Sequence, residues 1–138
     1  MTPVAGSTRQ YQELRMPFEG SPYPMWIYDL KTLAFLKVNQ AAIRVYGFSE
    51  KEFLSMTVLD IRPRQDVERF LQSWKHPHDS TAEKWWHIGR DGRAFAVSIT
   101  SWRLSFEGHE AELVLARRDE DVYPRKVEAE ILAHGEFD

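Results

Sequence analysis

His87 is the residue of this 138-residue chain best placed to carry chemistry. It follows Trp85 and Trp86, and a neutral imidazole among aromatic side chains can hydrogen-bond a ligand or ligate haem iron. The plainer role is that of a core or rim histidine bonded to a backbone carbonyl. His76-Pro-His78 with Asp79 superficially resembles a metal cluster. Two histidines at i, i+2 on a loop, without further ligands at matching spacing, describe a solvated turn instead. Ser, His and Asp are all present, but no Gly-x-Ser-x-Gly elbow, Gly-rich phosphate loop or His-Glu-x-x-His helix occurs. Asp29, Asp60 and Glu52 have turn or cap explanations. No catalytic residue and no metal site is therefore expected, and the chain reads as a non-enzyme.

Composition narrows the classes further. There is no cysteine, which excludes disulfides, thiol nucleophiles and thiolate metal sites. A net charge of −3 leaves no basic surplus for phosphates, so no direct nucleic-acid contact is expected. No apolar run is long enough for a membrane helix. The first seven residues lack the charged start and apolar stretch of a signal peptide. A cytoplasmic domain without membrane contact is the expectation, with residues 1–7 a flexible leader.

The elements that must position His87 follow from local signals. Tyr11, Leu14 and Phe18 form a short amphipathic stripe, ended early by Pro17, and Ser21-Pro-Tyr-Pro24 is a rigid turn, so residues 8–21 are an N-terminal helix and turn. Met25–Asp29 and Leu33–Val38 read as strands joined through Leu30-Lys-Thr32. Asn39 is a helix N-cap and Gly47 the left-handed stop. Ser49 and Glu52 fit a capping box, and Phe53, Leu54 and Met56 give the helix that follows an apolar side. After a break at Asp60-Ile-Arg-Pro63, Val67, Phe70, Leu71 and Trp74 form one buried stripe. Thr81–Arg90, Arg93–Phe106 and Glu110–Arg118 read as three strands joined by Asp91-Gly92 and Glu107-Gly108 turns. Past Pro124, Val127 and Ile131 lie one helical turn apart, so residues 122–138 start a C-terminal helix. The order implies an α+β fold: one five-stranded antiparallel sheet, short helices on one face and amphipathic helices at both ends, with the core at 22–121.

That order resembles the PAS family of sensory domains. The resemblance is carried by Pro24-Met-Trp-Ile-Tyr-Asp29, Val38-Asn-Gln-Ala-Ala42, Tyr46-Gly-Phe-Ser-Glu-Lys-Glu-Phe-Leu54, Asp60-Ile-Arg-Pro63 and Gly89-Arg-Asp-Gly92. It implies a cavity between sheet and short helices, lined by Trp26, Tyr28, Phe35, Val58, Ile61, His87, Val97 and Ile99, with Phe70 and Trp74 closing it. The same aromatic set could instead simply fill the interior. In the flavin photoreceptor branch a reactive cysteine stands where this chain has Val58, so adduct photochemistry is excluded. Haem-binding relatives take their histidine from the long helix, where His76 is poorly placed beside Pro77. No cofactor is expected, haem and flavin included.

Alternation places Trp102 on the outer face of the sheet with Thr100 and Leu104. An exposed Trp there calls for a cover, supplied by the Tyr11, Leu14, Phe18 stripe and by a second subunit. The expectation is a homodimeric signal-input module that binds a small ligand or partner. Its dimer and signalling face comprises Tyr11, Leu14, Phe18, Trp102, Leu104, Val127 and Ile131, and it relays to an output domain, foremost a histidine kinase, in the same polypeptide. A ligand-free dimerisation module is the alternative, and a haem- or flavin-carrying redox or gas sensor a third.

Overall fold

The computed structural model of the chain describes residues 17–75 and 83–118. Within them β1 (Met25–Asp29), β2 (Phe35–Val38), β3 (Glu83–Ile88), β4 (Ala94–Phe106) and β5 (His109–Arg118) form one sheet. Its order is β2-β1-β5-β4-β3, and every neighbouring pair is antiparallel. Between β2 and β3 run α1 (Gln40–Tyr46), α2 (Glu50–Phe53), a 3-10 turn (Val58–Ile61) and α3 (Arg64–Lys75). The first strand therefore lies inside the sheet beside the last, and the Ala116 N–H donates to the Pro24 carbonyl at 2.9 Å.

Side-chain caps set the helix limits. Asn39 Oδ1 accepts from the Ala42 N–H, and Gly47 ends α1 at φ 86°, a conformation that costs glycine nothing. Ser49 Oγ accepts from the Glu52 N–H while the Glu52 carboxylate accepts from the Ser49 N–H. The same device recurs at Thr57 and Asp60, which makes Asp60 a cap residue, one of the two roles open to it in the sequence. Leu54 departs from expectation: it is 46% exposed, whereas Phe53 is fully buried. A helix of one turn offers one buried face, and the next residue points away from it.

Strand limits differ slightly from those expected. β2 starts at Phe35 because Leu33 adopts φ 67° and Ala34 bridges to Thr57. β3 stops at Ile88, since the Gly92 N–H bonds to the Gly89 carbonyl and draws residues 89–92 into the turn. The β4–β5 connection is a two-residue turn with Glu107 at φ 49° and Gly108 at φ 81°, the left-handed pair that matches strand twist. Residues 17–20 are helical, so Pro17 does not end the helix. Its ring obstructs only the turn that precedes it.

Alternation along the strands produces a core on each face. Toward the helices, Trp26, Tyr28, Val97, Ile99, Val114 and Ala116 meet Phe35, Tyr46, Phe53, Val58, Ile61 and Phe70. On the other face, Met25, Ile27, Leu104, Phe106, Ala111 and Leu113 pack with Phe18. Each large side chain buried this way contributes roughly 1.5–3 kcal/mol. Asn39 joins the layers. Its Oδ1 also accepts from the Met25 N–H at 3.0 Å, and its Nδ2 donates to the Phe18 and Tyr23 carbonyls.

Candidate functional site

His87 reaches the inner face because β3 pairs with β4 in a register that sets it opposite Phe95, with Trp85 opposite Val97. Its side chain is fully buried, and its ring centroid lies 5.7 Å from those of Trp26 and Tyr46. Nδ1 lies 2.6 Å from the Tyr46 hydroxyl at the end of α1. The partner is thus a side chain rather than the backbone carbonyl expected from the sequence.

Burial, and then the positive charge of Arg62, hold the His87 imidazole well below its ordinary 6.5, so it is neutral at pH 7. Burial pushes the Tyr46 phenol up, so it too stays neutral. Donor accounting fixes the tautomer. The Tyr46 hydroxyl has His87 Nδ1 as its one partner among the described residues, so donating to it satisfies both groups. The reverse arrangement would leave the buried phenol proton without an acceptor. Nε2 therefore carries the hydrogen, and that buried N–H has no partner.

Arg62 follows the 3-10 turn as its C-cap and is turned inward, only 7% exposed. Its guanidinium lies 4.0 Å from the Phe70 ring centroid and 4.8 Å from that of Trp85. Burial pushes its pKa down to about 10, against support from Tyr28, Tyr46 and Asp66. Its Nε and Nη1 are buried without hydrogen-bond partners, as is Asp66 Oδ2 on α3. Elsewhere on this face Tyr28 donates to Glu112 Oε1 at 2.8 Å, and Arg103 donates to Glu112 Oε2 at 3.4 Å. Those three residues stand side by side on β1, β5 and β4.

Of the residues expected to line a cavity, Trp26, Tyr28, Phe35, Val58, Ile61, Phe70, Val97 and Ile99 share one buried cluster, and His87 packs against its Trp26. Trp74 belongs to α3, but its side chain lies outside what the structure describes. Tyr46, Arg62 and Trp85 belong to the same site and were not singled out from the sequence. Period-two alternation from His87 points to Trp85; nothing local marks Arg62 as buried. On the outer face Phe18 is fully buried, Leu104 is 8% exposed and Trp102 is 42% exposed. Tyr11, Leu14, Val127, Ile131, the leader and the His76-Pro-His78 segment lie outside the described residues.

Among the described residues no group of His, Cys, Asp or Glu could hold a metal ion, and no helix is long and apolar enough to cross a membrane.

A sheet of this order with helices over one face, enclosing a buried polar pair, defines a class of protein, and the comparisons agree with it. The family model described as PAS domain matches residues 9–85, and the chain belongs to the PAS family. PAS domains are signalling modules rather than catalysts. Among solved structures, the PAS domain of an HTR-like protein from Haloarcula marismortui is 22% identical, with TM-score 0.64, covering 79% of this chain and 91% of that one. A domain of a sensory box sensor histidine kinase/response regulator from Geobacter sulfurreducens is 23% identical, with TM-score 0.65, covering 78% and 93%. The PAS domain of a LuxR-family transcriptional regulator from Burkholderia thailandensis, solved in complex with ethanol, is 13% identical, with TM-score 0.62, covering 75% and 95%. No curated protein matches the chain in sequence.

Proposed function

We propose that this PAS domain is a cytoplasmic signal-input module that binds a small molecule between its sheet and helices and relays a packing change to an output domain, foremost a histidine kinase. One observation carries the reading. His87 is wholly buried with Nε2–H unpaired, a cost that a core serving only to hold a surface would have no reason to bear. A relative of the same fold is solved with ethanol bound, and another comes from a sensor histidine kinase/response regulator, which supports both halves of the proposal. Tyr46 connects the site to α1, so a ligand that engages His87 Nε2–H acts through the Nδ1–Tyr46 bond on how α1 sits on the sheet.

A crystal structure of the protein grown with a library of small molecules tests this. Density against Trp26 and His87 is expected; an interior closed by side chains in every soak would overturn the reading. The second reading, a ligand-free dimerisation module, draws on Trp102, large, apolar and 42% exposed on the outer face. The two are compatible where the dimer is the element that the ligand biases.

A further inference from the structure

Around the inner face Arg62 Nε, Arg62 Nη1 and His87 Nε2 are buried donors without partners, and Asp66 Oδ2 is a buried acceptor without one. The imbalance favours an acceptor. Arg62 also has no carboxylate within ion-pair distance among the described residues, although it is buried. Asp66 supports the Arg62 charge only from beyond ion-pair distance; a buried cation so placed is costly, and it is relieved by an anion that enters the same low-dielectric space.

We propose that the ligand is a small carboxylate, received by the Arg62 guanidinium and by His87 Nε2–H. The inference rests on the ligand-binding reading above and names the chemical class for that site. The groups are neighbours. Arg62 lies against Trp85, which is two residues from His87 on the same face of β3. The Phe70 and Trp85 rings hold the guanidinium, and a planar N–H fork held in one place matches the planar, two-oxygen carboxylate. Arg69, whose guanidinium lies 3.8 Å from the Trp85 ring centroid, adds a second positive charge nearby. The unpaired Asp66 oxygen opposes a second negative charge, so a monoanion suits the site better than a phosphate dianion. His87 contributes a neutral donor, which requires no change of charge on binding.

The experiment uses matched probes that differ in charge but little in size. Acetate, acetamide and ethanol form one set; benzoate, benzamide and benzyl alcohol form another. Thermal melting of the full chain is expected to rise with at least one carboxylate and not with its neutral partners or with inorganic phosphate. Arg62→Met is expected to melt higher than wild type without ligand, since an apolar chain replaces a buried unpaired cation, and to lose the carboxylate response. Arg62→Gln, which keeps polar atoms, serves the same comparison should the Met variant fail to fold. His87→Phe is expected to weaken carboxylate binding by about tenfold, the effect of one hydrogen bond. A carboxylate response that survives loss of Arg62 overturns the proposal. A response to ethanol or benzyl alcohol without one to the carboxylates also overturns it, while leaving the small-molecule reading standing. No response to any probe, with an interior closed by side chains in crystals of the soaked protein, overturns both.

Discussion

The Tyr46 hydroxyl donates to His87 Nδ1 across 2.6 Å, joining the last turn of α1 to the end of β3, both side chains buried. The pair spans 41 positions of sequence and supplies each partner with its described hydrogen bond. Tyr46→Phe leaves a buried imidazole nitrogen unsatisfied and is expected to cost about 1–3 kcal/mol. Replacing both residues by Phe removes both polar groups and is expected to cost less than the sum of the single changes. Urea unfolding of the four proteins in a double-mutant cycle measures the coupling, and strict additivity would show the bond to be energetically idle.

Asn39 makes a sharper case, because one side chain serves four backbone groups from three segments. Asn39→Ala is expected to destabilise the protein by about 2–4 kcal/mol, the loss of a cap plus several buried partners. Asn39→Asp keeps the oxygen that caps α1 but not the donors that reach the Phe18 and Tyr23 carbonyls. Hydrogen exchange should then rise in residues 17–24 while α1 stays protected. Equal exchange in both segments would contradict this division of labour.

Asp29 sits at the end of β1 and sets an acid limit. Burial raises its carboxyl pKa, but the Lys31 and Thr32 N–H groups and His109, 2.6 Å away, outweigh that and hold it below 3.8. A lowered folded-state pKa adds stability that is present above the ordinary value and is lost as pH falls through the folded one. Asp29→Asn keeps an oxygen for the turn and removes the charge. Its stability is expected to fall less than that of wild type as the pH drops through and below the ordinary carboxyl value. Parallel profiles would assign the acid limb to other carboxylates.

A stabilising change is available in the β4–β5 turn. Glu107 holds φ 49°, which a residue with a long side chain adopts at a cost, whereas Asn before Gly is the preferred pair for this turn. Glu107→Asn is expected to raise stability by about 0.5–1 kcal/mol, read from the denaturation midpoint. An unchanged or lower midpoint would place the strain elsewhere.

Trp102 separates the two faces of the sheet. In the dimer proposed for the outer face, Trp102→Glu dissociates the protein, whereas Trp26→Ala, on the inner face, leaves its mass unchanged. Sedimentation velocity reads both. A dimer that persists in Trp102→Glu would move the contact away from this patch.

Much of the fold was legible in the chain because its signals are local. Asn39, Gly47 and the Ser49–Glu52 box each act within four residues, and alternation in β4 assigns both faces of the sheet. The Thr57–Asp60 box carries the same signature, of which Asp60 was singled out from the sequence but not its partner Thr57. The site was only half legible. Its apolar members follow from periodicity, but Tyr46–His87 depends on a contact between distant segments, and the burial of Arg62 runs against what its side-chain type predicts. Leu54 fails in the opposite sense, an apolar residue that a one-turn helix leaves outside.

The bond from the Ala116 N–H to the Pro24 carbonyl has a consequence for how such a domain sits within a longer polypeptide. The chain comes into β1 and departs from β5 at one place, so segments joined to the two sides emerge as neighbours whatever their length. Their effective concentration toward each other is that of a short tether, in the millimolar range, before they make any contact of their own. A weak affinity between them is then enough to couple them, and a slight slip of β1 against β5 displaces both together.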